Sequence, residues 1–294
     1  MKPLFILMIL TALSSSPGAA QSFDLQGHRG CRGLMPENSI PAFLKAIDLG
    51  VNTLEMDVVI TKDLQVLVSH EPWMSHVICL DSSGTEILKS REKEYRIYEM
   101  TLAQVQQFDC GSKAHPGFPE QERVAVCKPS LREVIQASEE YCRSRGLPPV
   151  GYNIETKSTP DGDDIFHPKP GAFVDLLMAV VQEEGIADRT TIQSFDPRTL
   201  QYLKQHHPEM RSALLVANVK PMKKNLNELG FTPDIYSPNY LLVNKKLVTQ
   251  AHQKGMKIIP WTVNKESDFK KMKDLGVDGI ITDYPGRMGM MNDE

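Results

Sequence analysis

Short segments rich in β-branched residues alternate with amphipathic stretches along most of the chain. The segments that we predict as strands are FDLQGHRG, VNTLEMDVVIT, VLVSH, GYNIET, TTIQSF, RSALLV, DIYSP, MKIIPWTV and DGIITD. Between the first two, PENSIPAFLKAIDLG places apolar side chains on one helix face, with Asn38 or Ser39 as the N-cap and Gly50 after the last turn. This alternation predicts an α/β protein with a parallel sheet covered by helices.

The spacing of the strands decides the predicted architecture. Only residues 62–65 separate VVIT from VLVSH, whereas a parallel crossover needs a dozen residues or more. We therefore interpret these two segments as a hairpin, which brings His70 level with Met56 and Asp57. Eight of the nine segments then remain for the main sheet, the number that closes a (β/α)8 TIM barrel.

Residues 71–128 interrupt this pattern. The segment is rich in charged and turn-forming residues, has no long periodic run, and is too long for a simple loop. We predict an inserted subdomain that caps the barrel mouth directly after the hairpin. The predicted organisation is a barrel over residues 21–294 that contains this insertion.

The N-terminus has the pattern of a secretory signal peptide over residues 1–20. Lys2 precedes the apolar run LFILMILTAL, and small residues follow up to Ala20. The alternative, a buried N-terminal helix, is disfavoured because the run has almost no polar face. Its apolar core is shorter than the roughly 20 residues that span a bilayer, so no stable membrane anchor is predicted. The expected location is secreted or periplasmic, with cleavage near Ala20.

Charge and cysteine content exclude several functions. The net charge is −4, and residues of both signs are mixed along the chain. Because the chain has no run of basic residues, a nucleic-acid partner is not predicted.

The cysteines form no C-x-x-C pair, so the sequence lacks the zinc and thioredoxin signatures. An exported chain can form disulfides, and we favour Cys79 with Cys110 because both lie in the insertion. Cys31 is then the spare thiol, and its use as a nucleophile beside His28 is the less favoured alternative. The five cysteines are Cys31, Cys79, Cys110, Cys127 and Cys142.

Three acidic residues lie near strand ends, where barrel active sites form. Glu55 and Asp57 are two apart, so both project from one face of a strand, and Glu155 follows in GYNIETK. Each alone is compatible with a structural salt bridge. Together they predict an all-oxygen site for one divalent cation, Mg²⁺ or Ca²⁺.

Two histidines and two cations complete a set suited to phosphoryl transfer. His28 and His70 can act as general acid and base. Lys157 would face the same side as Glu155 and hold an anion beside the metal. Arg29 matches phosphate oxygens, although strand alternation would turn it away from His28 unless the strand has already ended.

The motif set resembles the glycerophosphodiester phosphodiesterase family over essentially the whole mature chain. The motifs, in order, are HRG, PENS, the E-x-D of Glu55 and Asp57, His70 with an acidic residue after it, NIETK, QSF, WTVN and DGIITDYP. The resemblance implies a TIM barrel, the metal and histidine roles above, phosphate contacts from Arg29 and Lys157, and substrate contacts from Gln193 and Trp261. Ser39 and Leu64 depart from the family pattern, which often has Thr and commonly Gly there.

We therefore expect metal-dependent hydrolysis of glycerophosphodiesters, such as glycerophosphocholine or glycerophosphoethanolamine, to sn-glycerol 3-phosphate and an alcohol. The attacking group is water or a hydroxyl of the substrate. One alternative is a lysophospholipase D-like activity on a lipid, which needs an apolar lip that the polar insertion does not provide. Another is a non-catalytic phosphate-binding barrel, against which the complete set of histidines and carboxylates argues.

Overall fold

Nine strands form the framework of the protein in a computed structural model that describes residues 23–289. The predicted signal peptide and its cleavage site lie outside the described residues. The strands are β1 (Asp24–Gly27), β2 (Thr53–Ile60), β3 (Val66–Val68), β4 (Gly151–Thr156), β5 (Thr190–Ser194), β6 (Arg211–Val216), β7 (Ile235–Pro238), β8 (Lys257–Ile258) and β9 (Gly279–Thr282).

Eight of these strands form a barrel in the order β8-β7-β6-β5-β4-β2-β1-β9, with every neighbouring pair parallel. The two end strands meet through backbone hydrogen bonds, from Asp278 N–H to the carbonyl of Ile258 and from Ile281 N–H to that of Pro260, both 2.9 Å. The (β/α)8 TIM barrel is confirmed. β8 is shorter than MKIIPWTV predicts because Pro260 has no N–H to donate.

The predicted hairpin is confirmed between β2 and β3. Its antiparallel register pairs Val58 with Val68, and Ser69 N–H donates to the carbonyl of Asp57 at 2.9 Å. His70 therefore lies level with Met56, at the end of the strand that carries the acidic pair. The turn places Leu64 at φ 60°, a conformation that usually favours glycine.

Helices cover the outside of the barrel, and their ends follow the expected signals. Ser39, rather than Asn38, caps the first helix by accepting from Ala42 N–H at 3.3 Å, and Gly50 follows at φ 78°. The α-helices in the described part of the chain are α1 (Ile40–Asp48), α2 (Leu102–Val105), α3 (Leu131–Arg145), α4 (Pro170–Glu183), α5 (Pro197–His206), α6 (Met222–Leu229), α7 (Lys245–His252), α8 (Glu266–Leu275) and α9 (Pro285–Gly289). None of them combines the length and apolar character needed to cross a bilayer.

The interior of the barrel has an apolar half and a polar half. On the β6-to-β9 side, apolar side chains form a small cluster of their own: Ala213, Ile235, Ile259 and Ile281. On β1, β2, β4 and β5, alternate positions hold buried polar side chains instead: Gln26, Glu55, Asp57, Asn153, Glu155 and Gln193. Because alternate residues of a strand face opposite sides, the intervening apolar residues pack against the helices. The interior of the barrel is therefore polar on one side and apolar on the other.

The segment from 71 to 128 packs on the outward face of the hairpin. Val59 and Leu67 are register partners on that face, and apolar residues of the segment, including Ile97, complete a separate buried cluster with them. A disulfide joins Cys79 to Cys110 within it, as the sequence predicts, and Cys31 is a free, buried thiol. The predicted insertion thus has an apolar core despite its polar composition.

Candidate active site

Three carboxylates meet at the C-terminal end of the barrel. Glu55 and Asp57 lie on β2, and Glu155 lies on β4 as the register partner of Asp57. All three are buried, and one oxygen of each lies within 4.8 Å of the other two. A hard divalent cation prefers such an all-oxygen donor set. The residues present therefore fit the predicted metal.

The charges around this carboxylate cluster are unbalanced. Burial raises the pKa of Glu55 well above its usual value, and the charge of Asp57 raises it further. Burial also raises the pKa of Glu155, against the opposing charge of Lys157. For Asp57, burial acts in the same direction, but the charges of Arg29 and Lys157 and the hydrogen bond from Asn38 act with other nearby groups to hold the pKa well below its usual value. This excess of negative charge is an environment that a bound cation would stabilise.

The turn after β1 brings Arg29 to the site. The strand ends at Gly27, and Arg29 adopts φ 50°, so alternation along the strand does not turn its side chain away. Gly30 follows at φ 84°, and a Cβ there would lie 2.6 Å from the backbone of Ala42. A side chain at this glycine would therefore separate the turn from α1.

Arg29 contacts the carboxylate cluster through both its backbone and its side chain. Its N–H donates to Glu55 Oε2 at 3.0 Å, and its Nη1 donates to Glu37 Oε1 at 2.8 Å. Its Nε lies 3.1 Å from Asp57 Oδ2. Lys157 is the second cation, since its Nζ donates to Glu155 Oε1 at 2.7 Å. Both predicted anion-binding residues thus lie at the carboxylates.

His28 is held by Asp283, whose Oδ1 lies 2.6 Å from Nδ1 of the ring. The other ring nitrogen, Nε2, is 3.9 Å from Glu55 Oε2. Burial lowers the pKa of His28 to about 4, although the charge of Asp283 opposes this shift. The ring is therefore neutral near pH 7, with Nδ1–H donating to the carboxylate and Nε2 available as a proton acceptor.

His70 approaches the site from the hairpin. Its Nδ1 lies 2.7 Å from Glu71 Oε1, and its side chain is 30% exposed, compared with 12% for His28. Burial would raise the pKa of Glu71, but the hydrogen bond from His70 and the nearby charges, including those of Lys128 and Arg29, together lower it to about 2. Each histidine thus has a carboxylate partner at Nδ1, and neither Nε2 has a hydrogen-bond partner among residues 23–289.

Gln193 and Trp261 occupy different places around the site. Gln193 Nε2 donates to Glu55 Oε1 at 2.7 Å, so in the structure it supports a carboxylate. Trp261 Nε1 donates to the carbonyl of Ser237 at 3.0 Å. Its ring meets that of Phe195 edge to face, with centroids 5.5 Å apart. The substrate contacts expected of Gln193 and Trp261 remain predictions.

These residues surround one cavity of about 160 Å³. Of the nine predicted site residues, eight line it: His28, Arg29, Glu55, His70, Glu155, Lys157, Gln193 and Trp261. The ninth, Asp57, belongs to the carboxylate cluster. Leu215 and Ile281 of the apolar half close the opposite side. The structure therefore brings all nine together.

Several residues that hold the site were not predicted from the sequence to contribute to it. Asp283 orients His28, Glu37 pairs with Arg29, and Asn38 Nδ2 donates to Asp57 Oδ2 at 2.9 Å. The sequence contains motifs that could have indicated these residues. Asp283 follows the last barrel strand in DGIITDYP, and the other two lie in PENS. A polar residue at a barrel strand end is a candidate by the same rule that selected Glu155.

Comparisons with known proteins agree with this geometry. The model of the glycerophosphoryl diester phosphodiesterase family matches residues 28–287. A glycerophosphodiester phosphodiesterase from Caldanaerobacter subterraneus is 30% identical over 260 residues, which are 88% of this chain and 93% of that protein.

Two solved structures have the same fold. A protein from Silicibacter pomeroyi, assigned as a glycerophosphoryl diester phosphodiesterase, superimposes with a TM-score of 0.81 at 28% identity, covering 94% of this chain and 95% of its own. A phosphodiesterase from Oleispira antarctica, solved with the product sn-glycerol-3-phosphate, has a TM-score of 0.72 at 21% identity, covering 92% and 97%. With the family model matching almost the entire described chain, the protein belongs to the glycerophosphoryl diester phosphodiesterase family.

Proposed function

We propose that the protein hydrolyses glycerophosphodiesters, such as glycerophosphocholine, to sn-glycerol 3-phosphate and an alcohol. One observation carries this proposal: a single cavity holds a buried carboxylate cluster, two cations and two histidines that each have a carboxylate partner. Membership of the family supports the same reaction.

Glu55, Asp57 and Glu155 would hold one divalent cation. Their oxygen donors suit Mg²⁺ or Ca²⁺, and the bound ion would stabilise negative charge on the phosphoryl oxygens. Arg29 and Lys157 line the same cavity. We assign them the role of stabilising the negative charge on the phosphoryl oxygens that the cation does not neutralise.

The two histidines carry the proton transfers. One ring, unprotonated at Nε2, removes a proton from the attacking oxygen as its bond to phosphorus forms. The other ring, protonated at both nitrogens, gives its Nε2 proton to the leaving alcohol as the ester bond breaks. Asp283 and Glu71 hold the two rings through Nδ1. The attacking oxygen is that of water or of a substrate hydroxyl, and the second route forms a cyclic phosphate that water then opens.

The direct test is to incubate the purified protein with glycerophosphocholine or glycerophosphoethanolamine and Mg²⁺ or Ca²⁺. We expect glycerol 3-phosphate to be released, and to be lost on chelation and restored by adding the ion back. Phosphorus NMR during turnover separates the two routes, because only attack by a substrate hydroxyl gives a cyclic intermediate. No product with any ion or head group would contradict the proposed activity.

A second candidate substrate is a lysophospholipid. Three exposed apolar side chains follow neighbouring strands at the C-terminal end of the barrel: Phe195, Val219 and Leu241 follow β5, β6 and β7 and are 42%, 90% and 73% exposed. Such side chains can contact an acyl chain. Val219→Ser with Leu241→Ser should then slow release of choline from lysophosphatidylcholine while leaving hydrolysis of glycerophosphocholine unchanged. Equal rates for variant and parent on the lipid would remove this candidate.

We also propose that the protein is exported. The apolar N-terminal pattern supports this, and the disulfide between Cys79 and Cys110 suits an oxidising compartment. Fractionating cells and determining the N-terminus of the mature protein would test it. A cytosolic protein that retains Met1 would contradict it.

A further inference from the structure

A continuous row of hydrogen-bonded side chains runs through the polar half of the barrel to Glu55. At its far end, Gln26 Nε2 donates to Asp24 Oδ2, and Asn153 Nδ2 donates to Gln26 Oε1, both at 2.7 Å. The same Asn153 Nδ2 donates to Gln193 Oε1 at 3.1 Å, and Gln193 Nε2 donates to Glu55 Oε1 at 2.7 Å. Four strands thus contribute to one row that links two carboxylates.

The direction of each bond follows from the two ends of the row. Gln26 turns its N–H toward Asp24, and Gln193 turns its N–H toward Glu55. The second direction suits a carboxylate that binds a cation, since such a group only accepts. Both glutamines therefore direct Oε1 toward Asn153, which lies between them. The side-chain amide of Asn153 has two N–H bonds and donates one to each of these oxygens. A hydroxyl at that position has one donor and a carboxylate has none.

These three amide side chains are buried, so water cannot replace a hydrogen bond that one of them loses. Gln26, Asn153 and Gln193 are each at most 2% exposed. Asn153 Oδ1 is itself buried with no hydrogen-bond partner among the described residues, which is uncommon for a buried amide oxygen. The Asn153 side chain thus has an unsatisfied acceptor, while its NH₂ group donates to both Gln26 and Gln193. We take these two donated hydrogen bonds to be its role.

We propose that Asn153 is a positioning residue of the metal site, which sets the Gln193 amide so that its N–H faces Glu55. The inference rests on the proposed binding of a divalent cation by the carboxylate cluster. Gln193 N–H holds Oε1 of Glu55, and Arg29 N–H holds Oε2 at 3.0 Å. With the Gln193 amide reversed, two oxygens would face each other at that site, and Glu55 would turn away from the position in which it can bind the ion.

The test is a double-mutant cycle on metal affinity. Asn153→Ala, Gln193→Ala and the double variant are titrated with Mg²⁺ and Ca²⁺ by calorimetry and by the metal-dependent shift in unfolding temperature, without substrate. Groups that orient metal ligands typically contribute 10- to 100-fold in affinity, so we expect each single variant to bind about tenfold more weakly. Because Asn153 acts through Gln193, the double variant should also lose about tenfold.

Asn225→Ala is the matched control. Asn225 is also a buried asparagine, 4% exposed, whose Nδ2 donates to the Tyr236 hydroxyl at 2.8 Å on the outside of the barrel. This variant should lose stability but bind the ions within about twofold of the parent. Should Asn153→Ala not fold, Asn153→Leu takes its place, since leucine is similar in size and offers no donor to either glutamine.

Three outcomes would overturn the inference. One is unchanged metal affinity in the folded Asn153 variant. Another is a roughly hundredfold loss in the double variant, which would mean that Asn153 acts independently of Gln193. If the parent protein bound neither ion, the proposed metal site would fail and the inference with it. The first two outcomes leave that site intact.

Discussion

The carboxylate of Asp283 lies 2.6 Å from Nδ1 of His28, where β9 pairs with β1 to close the barrel. Arg32 Nε donates to the same oxygen at 2.9 Å, and Asn264 Nδ2 donates to the other at 2.7 Å. Burial would raise the pKa of Asp283, but its interactions with His28 and Arg32, including a hydrogen bond from each, together hold the pKa below its usual range. The ionised carboxylate therefore keeps the proton of His28 on Nδ1.

Replacing Asp283 with Asn should lower kcat by at least about 100-fold, because the amide N–H can donate to Nδ1 and move the ring proton to Nε2. The measurement is the rate of glycerol 3-phosphate release, with the fold checked by circular dichroism. Asp278→Asn is the matched control, since Asp278 pairs with His252 at 2.8 Å on the outside of the protein. The Asp278→Asn variant should retain kcat within about twofold. A kcat for Asp283→Asn that is similarly close to that of the parent would contradict the role of Asp283 in orienting His28.

His28→Ala and His70→Ala should each lower kcat by about 10²- to 10⁴-fold, the usual contribution of a general acid or base. The variants should still bind Ca²⁺, because neither ring belongs to the carboxylate cluster. Calorimetry and turnover measured on the same preparations would separate the two effects. His206→Ala, at an exposed histidine on α5, is the control. A histidine variant with near-normal turnover would have no role in proton transfer.

Removing the disulfide by Cys79→Ser with Cys110→Ser should destabilise the protein by about 3–4 kcal/mol, because the bond closes a loop of 31 residues. Urea unfolding in the absence of reductant measures the change. The control is Cys127→Ser, at an exposed free cysteine, which should change the free energy of unfolding by less than about 0.5 kcal/mol. Equal stability of the two variants would mean that the bond adds nothing to the folded state.

Leu64→Gly should stabilise the protein by up to about 1 kcal/mol. Leu64 is 54% exposed at φ 60°, so relief of left-handed strain exceeds the entropy that glycine adds to the unfolded chain. Leu88 is similarly exposed, at 62%, without a positive φ. Leu88→Gly should therefore lower stability by about 0.5–1 kcal/mol. Thermal and urea unfolding measure both, and the same sign for the two variants would refute the argument from strain.

Arg198 should make stability depend on acidic pH. It bonds Asp163 and Asp196 at 2.6–3.0 Å. Burial would raise the pKa of Asp196, but the hydrogen bonds and charge of Arg198, together with the hydrogen bond from Ser158, lower the pKa. A lowered folded pKa stabilises above the unfolded value of about 3.9, and this contribution disappears as the pH falls through the folded pKa.

Arg198→Met should therefore cost about 1–3 kcal/mol at pH 7 and less below pH 4. Urea unfolding from pH 7 to pH 3 follows the difference between variant and parent. Arg143→Met removes an exposed ion pair with Glu140, whose side chains are 73% and 65% exposed, and should cost under about 1 kcal/mol at every pH. A cost for Arg198→Met that stays constant with pH would exclude the carboxylates as its cause.

Local pattern in the sequence determined the architecture. The short link at residues 62–65 permits only an antiparallel return, which sets the hairpin and the place of His70. Alternation along β2 and β4 puts Glu55, Asp57 and Glu155 on one face, and parallel strands bring their C-terminal ends to one rim. For this reason all nine predicted site residues lie together. Periodicity and loop length depend on neighbours in the chain and can be interpreted without a tertiary structure.

The partners of those residues were decided only by the tertiary structure. Asp283 lies 255 positions from His28, and it reaches the ring because the barrel closes β9 on β1. Gln193 donates to Glu55 through the relative register of β2, β4 and β5. Periodicity predicts the face of the strand on which a side chain lies. The register of neighbouring strands and the closure of the barrel determine which residue lies opposite it. They depend on packing of the whole barrel, which no local stretch of sequence encodes.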